Sequence, residues 1–128
     1  MKFFAKIFTK LNQSLFSFFS GICVSLSLNI FTTILMDSSK YFSILNVLSV
    51  VLMIVGSGIL ILESVVLQNY SEIILNAKKI KMSIEEICSS PKINKLVIKL
   101  MVYLFVALVL IITSLFFLYC DFNWCVNL

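Results

Sequence analysis

Residues 42–67 read FSILNVLSVVLMIVGSGILILESVVL, and this stretch decides the fold. It is longer than the roughly 20 apolar residues that a helix needs to cross the hydrocarbon core of a bilayer. Glu63 is its only charged residue. Residues 15–36 and 96–119 are similarly long and apolar. We therefore predict an all-α integral membrane protein with three transmembrane helices, in a single membrane domain that covers residues 1–128.

The composition agrees with a membrane protein and narrows the chemistry that the chain can perform. Hydrophobic residues make up 61% and charged residues 12%, and the basic residues are all lysine, without histidine or arginine. An imidazole base, an imidazole metal ligand and an arginine clamp are therefore absent from the sequence. It also contains no nucleophile beside a base and no glycine-rich phosphate loop. We expect no enzyme, no catalytic residue and no cofactor.

The lysines predict the orientation in the membrane. Three lysines precede the first span and six lie between the second span and the start of the third, whereas Lys40 alone lies on the opposite side. The positive-inside rule then places the N-terminus in the cytoplasm and the C-terminus in a lumen or outside the cell. This bias accounts for the net charge of +4. We therefore expect the lipid bilayer, and no nucleic acid, as a partner.

An amphipathic helical segment is predicted over residues 70–88, between the second and third spans. Apolar residues recur there at steps of three and four, at positions 73, 77, 80, 84 and 87. One interpretation is a helix that lies on the cytoplasmic leaflet or docks a partner. The other is a connector held beneath the protein's own helices.

Two cysteines on the predicted outer side leave two outcomes open. Cys120 and Cys125 are five residues apart, beyond the third span. They can form a disulfide in an oxidising compartment or remain free thiols. A metal site is disfavoured because two cysteines without histidine fall short of four ligands.

Glu63 is the candidate functional residue, because an ionisable side chain inside a span is costly and marks a functional site by default. One interpretation is a cation pathway, in which a ring of glutamates from several subunits binds calcium as the permeant ion. This pathway requires a homo-oligomer, since one carboxylate cannot coordinate calcium alone. The other interpretation is a carboxylate near the inner end of the span that reaches water or pairs with a loop lysine.

Small residues near Glu63 predict close helix contact. Ser49, Gly56 and Gly58 precede it in the same span, and small residues let transmembrane helices approach closely. The contact can join subunits or only helices of one chain.

The order of these features resembles the Flower family of calcium-channel and Golgi vesicle membrane proteins. The residues that carry the resemblance are Gly21-Ile-Cys, Leu28-Asn-Ile-Phe-Thr32, Leu52-Met-Ile-Val-Gly56, Ile59-Leu-Ile-Leu-Glu63, Ser90-Pro-Lys and Val102-Tyr103. In that family alanine and proline usually follow the glutamate, whereas this chain reads Ser64-Val65.

The resemblance implies a protein of vesicle, Golgi or plasma membranes that acts in vesicle trafficking or endocytosis. It also implies calcium passage, with Glu63 at the position of the family's proposed calcium-passing glutamate. Two alternatives from other classes are a non-catalytic accessory subunit or scaffold of a larger membrane complex, and a small pore-forming protein.

Overall fold

The computed structural model describes residues 2–36 and 44–126, with side chains as far as Asp121. These residues form helices and short connections, and no strand occurs among them. The helices in chain order are α1 (Lys2–Lys10), α2 (Gln13–Met36), α3 (Ile44–Lys79), α4 (Ile84–Ser89) and α5 (Pro91–Val126).

Three of these helices are long and apolar enough to cross a membrane, which confirms the predicted all-α membrane fold. They are α2, α3 and the part of α5 from Pro91 to Asp121, and an 18-residue stretch of each has a mean hydropathy of 1.8, 2.6 and 2.8, respectively. The lower value for α2 reflects its serines and threonines. Several of these satisfy their hydroxyls within the helix, as Ser27 does by donating to the Cys23 carbonyl at 2.7 Å.

The middle helix, α3, joins the three spans. It packs against both α2 and α5, while no Cα atom of α2 lies within 8 Å of one in α5 over the described ranges. Hydrogen bonds join Ser17 to Ser64 and Ser20 to Ser57 between α2 and α3, and Asn46 to Asp121 and Ser49 to Ser114 between α3 and α5. In each pair of helices the residue number rises on one helix as it falls on the other, so adjacent spans are antiparallel. The N-terminus of α2, the C-terminus of α3 and the N-terminus of α5 therefore share one end of the molecule, called here the basic end because most lysines lie there.

The segment expected to be one amphipathic helix over 70–88 is divided in the structure. Its first part continues α3 without interruption to Lys79. Lys81 then adopts a left-handed φ of 61°, and the Met82 N–H donates to the Ala77 carbonyl at 3.3 Å. This arrangement ends an α-helix by satisfying its last carbonyls. The predicted segment over 70–88 is therefore shared between the end of α3 and a second helix.

The second part of that segment is the short helix α4. Ser83 begins it with a reciprocal capping box, in which the Glu86 N–H donates to the Ser83 hydroxyl at 3.2 Å and the Ser83 N–H donates to the Glu86 carboxylate at 3.1 Å. Pro91 then begins α5, where its missing N–H costs nothing.

Candidate functional site

The buried face of α3 has the spacing of a coiled-coil seam. Its positions alternate in steps of four and three residues, and they are Ser49, Met53, Gly56, Leu60, Glu63, Leu67, Tyr70 and Ile74. The facing helix α5 buries residues at matching steps of four, three and seven, and these are Ile93, Val97, Leu100, Ala107 and Ser114. The contact between these two sets is called the α3–α5 seam below.

A pair of serines closes one end of the seam. The hydroxyl of Ser49 lies 2.8 Å from the carbonyl oxygen of Ser114, and the hydroxyl of Ser114 lies 2.8 Å from the carbonyl oxygen of Ser49. The two Oγ atoms are also 2.8 Å apart, and both residues are fully buried. This contact sets the antiparallel register of α3 against α5.

Seven residues further along α3, Gly56 lets the two helices approach closely. A Cβ atom at Gly56 would lie 3.0 Å from Cγ1 of Ile111 and 3.6 Å from the carbonyl oxygen of Ala107. A Cβ atom at Gly58 would have no neighbouring atom within 4 Å. Of the three predicted packing residues, the structure therefore brings Ser49 and Gly56 into the seam and leaves Gly58 outside it.

The Glu63 carboxyl lies inside the same seam, a further seven residues along. Its side chain is 0% exposed, and neither carboxylate oxygen has a hydrogen-bond partner among the residues that the structure describes. The register set by Ser49 and Gly56 places Leu100, which is also fully buried, opposite Glu63. A buried polar group without a partner costs free energy. The seam thus holds this carboxyl group at a net cost in stability, rather than letting it reach water at the surface.

Serines on a neighbouring face of α3, about 100° around the helix from the seam, join it to α2. The Ser20 hydroxyl donates to the Ser57 carbonyl at 3.0 Å. The Ser17 and Ser64 hydroxyls are 3.1 Å apart, and Ser64 directly follows Glu63. Ser17, Ser20 and Ser114 were not singled out from the sequence, where the signal for the first two was the high serine content of the first span. Hydrogen bonds therefore join α3 to both α2 and α5.

A second cluster lies at the basic end, where α1 and α4 cover the extension of α3. The Tyr70 hydroxyl, which is fully buried, donates to the Ala5 carbonyl at 2.8 Å. Phe8, Ile87 and Cys88 belong to the same buried cluster. The basic-end cluster thus anchors α1 to the span that carries Glu63.

Two further candidate sites predicted or excluded from the sequence are a metal site and the outer cysteine pair. Within residues 2–36 and 44–121, no group of three or more histidine, cysteine, aspartate or glutamate side chains could hold a metal ion. Cys120 is partly exposed. The Cys125 side chain lies outside the described residues, and so does the predicted choice between a disulfide and two free thiols.

Over the described part of the chain, the fold and the site together define a class: an all-helical integral membrane protein with three apolar helices and one buried intramembrane carboxyl group. No family model, curated protein or solved structure matches the chain.

Proposed function

We propose that the protein is a Flower-like multi-pass protein of vesicle, Golgi or plasma membranes. It acts in vesicle trafficking or endocytosis and passes calcium, as a homo-oligomer, along a path that includes Glu63. The observation that carries this proposal is the Glu63 carboxyl, buried in a membrane-spanning seam without a hydrogen-bond partner among the described residues.

The free-energy cost of burying the Glu63 carboxyl in a membrane span is the first argument for a functional role. An acidic residue costs about 2.5–3.5 kcal/mol at the centre of a span on insertion scales, and the cost for Glu63 is smaller because it lies roughly 6 Å from the inner end of its apolar run. Neither a hydrogen bond in the described part of the chain nor contact with water offsets this cost for Glu63. A leucine would fit a coiled-coil position opposite Leu100 without that cost. A group that weakens packing at such a position is expected to serve ion passage instead.

The coordination chemistry of calcium is the second argument, and it requires more than one chain. Calcium takes six to eight oxygen ligands, whereas the described seam of one chain offers one carboxyl and, at its far end, the serine pair. Several chains around one axis can supply the missing carboxylates. The apolar outer faces of α2 and α5, exposed in the isolated chain, leave room for contacts between subunits.

In this proposal the described packing is the closed form. The Glu63 carboxyl faces α5 of its own chain, so it reaches a shared pore only when α3 rotates or the seam opens. Gly56 lies between Glu63 and the serine pair, where its missing Cβ lets α5 pack closely against α3.

Calcium uptake by reconstituted vesicles tests the proposal. The purified full chain is placed in liposomes that contain a calcium dye and is compared with Glu63→Gln and with the control Glu72→Gln. Glu72 is on the same helix but is exposed and follows the apolar run. We expect calcium influx with the native chain and with Glu72→Gln, and its loss with Glu63→Gln. Influx that is absent from the native chain, or unchanged in Glu63→Gln, refutes the proposal.

A disulfide across the seam tests whether the described packing is closed. Ser49→Cys with Ser114→Cys, in a chain without its four native cysteines, places two thiols where the serine hydroxyls are now 2.8 Å apart. Oxidation should block influx and a reductant should restore it. Equal influx in the oxidised and reduced protein would show that the seam does not open.

The second candidate function is a non-conducting accessory subunit or scaffold. The burial of Glu63 inside its own chain, rather than on an outer face, favours this alternative. It predicts no influx from any variant and a strict monomer on cross-linking of the isolated protein. A small pore-forming protein, in contrast, predicts influx that does not depend on Glu63.

A further inference from the structure

The N-terminal helix α1 has three distinct faces. Its buried face, which packs on the basic-end cluster, consists of Ala5 and Phe8. Its exposed apolar face consists of Phe3, Phe4 and Ile7, which are 70%, 40% and 39% exposed. Its charged face consists of Lys2, Lys6 and Lys10, which follow each other in steps of four and are all exposed. No acidic residue interrupts the helix.

The height of α1 along the molecule is fixed by two contacts. The Tyr70 hydroxyl holds the Ala5 carbonyl, and Tyr70 lies only three residues, or roughly 4.5 Å of helix rise, beyond the last apolar residue of the second span, Leu67. The amide of Gln13, at the start of α2, donates to the side chain of Gln68 at 3.5 Å. The helix therefore leaves the bundle at the level where the apolar run ends, which is the level of lipid headgroups.

A second exposed site with lysines and apolar side chains, at the end of α3, lies too far out for the same contact. The turn after α3 exposes Ile80 and Met82 beside lysines. Lys79, where α3 ends, lies twelve residues beyond Leu67, which is roughly 18 Å of helix rise. Side chains of an interfacial helix insert about 5–10 Å into the boundary between headgroups and acyl chains. Of these two sites, α1 satisfies this condition.

We propose that α1 is an interfacial helix that binds anionic lipids in the leaflet at the basic end. Phe3, Phe4 and Ile7 insert among the acyl chains below the headgroups, while the three lysines contact the negatively charged headgroups. Charge complementarity selects this partner, because the helix presents lysines alone. Tyr70 holds α1 in the orientation that keeps both faces free for lipid.

Depth-dependent quenching in the full chain tests the insertion. Trp124, the single tryptophan, is replaced by phenylalanine, and Ile7→Trp is compared with Thr9→Trp. These positions are roughly 160° apart around the helix. In vesicles of phosphatidylcholine with brominated acyl chains, fluorescence should be quenched for Ile7→Trp and much less for Thr9→Trp. Equal quenching overturns the insertion. Shielding of Ile7→Trp from aqueous acrylamide without lipid quenching shows a protein partner instead and also overturns it.

Lipid selectivity is tested in mixed vesicles of phosphatidylserine and phosphatidylcholine, with bromine on one lipid at a time. Brominated phosphatidylserine should quench Ile7→Trp about fivefold more than an equal amount of brominated phosphatidylcholine, the factor expected for one lysine beside an anionic surface. The preference should persist with arginine at all three lysine positions and vanish with glutamine there. It should also fall in 0.5 M salt without any lysine substitution. Equal quenching of Ile7→Trp by the two brominated lipids at low salt overturns the proposal.

Discussion

Replacing Gly56 with leucine should separate α3 from α5, whereas the same change at Gly58 should not. A Cβ atom at Gly56 already lies 3.0 Å from Cγ1 of Ile111, below the 3.5–4.0 Å at which carbon atoms are in optimal contact. The further carbons of leucine extend into the same gap. Inserting carbon atoms into a packed interface costs about 1–3 kcal/mol, so we expect Gly56→Leu to destabilise the folded protein by about 2 kcal/mol relative to Gly58→Leu.

The comparison with Gly58 removes the contribution of helix propensity. Leucine gains roughly 0.8 kcal/mol over glycine in a helix interior, and this gain applies equally to both positions. Gly58 has no atom within 4 Å of a built Cβ, so Gly58→Leu should change stability by less than about 1 kcal/mol. The difference between the two variants therefore measures seam packing alone.

Unfolding in mixed micelles gives the measurement. The protein in dodecyl maltoside is titrated with sodium dodecyl sulfate, and energy transfer between dyes on α3 and α5 reports the fraction in which the helices are in contact. Gly56→Leu should shift the midpoint to less dodecyl sulfate, and Gly58→Leu should leave it close to that of the native chain. Equal midpoints for the two variants would refute the close approach of the helices at Gly56.

Three further predictions concern the hydrogen bonds and the buried carboxyl. A double-mutant cycle of Ser49→Ala and Ser114→Ala should give a coupling energy of about 0.6–1.7 kcal/mol in the same titration, and additive effects would mean that the serine contact contributes nothing. Tyr70→Phe removes the donor to Ala5 and should cost about 1 kcal/mol. It should accelerate tryptic cleavage within α1 and leave the seam titration unchanged, and unaltered cleavage would contradict the anchoring role. Glu63→Leu removes an unpaired buried group and should stabilise the protein by about 1–3 kcal/mol while abolishing calcium influx. Destabilisation would instead reveal a partner for the carboxyl.

The spans and the isolated acid could be predicted from sequence because both are local properties. The length of an apolar run determines whether a helix can cross a bilayer, and the run over 42–67 contains one charged residue whatever packs against it. The seven-residue spacing of Ser49 and Gly56 was also visible. That α5 is the helix facing these two residues could not be predicted, because Ser114 is far away in sequence and its contact with Ser49 depends on tertiary packing.

Two features at the basic end escaped prediction for separate physical reasons. Isolated helices as short as α1 are unstable in water, and its burial against Tyr70 is a tertiary contact between distant residues. The end of α3 carries no glycine or proline, which are the usual signals of helix termination. Lys81 takes the left-handed conformation there instead, so the periodic apolar pattern runs through the break without marking it.

Because α3 is one uninterrupted helix, motion within the membrane is transmitted to its end outside the membrane. Glu63 and Tyr70 are two turns apart on one face of a single helix that continues to Lys79 without a kink-forming proline. An axial rotation that swings Glu63 away from α5 must also draw Tyr70 away from Ala5. A tilt of about 10° at Glu63 would displace Lys79, roughly 24 Å further along, by about 4 Å. A movement of α3 that starts at the Glu63 carboxyl inside the membrane therefore also displaces the Tyr70–Ala5 contact that holds α1.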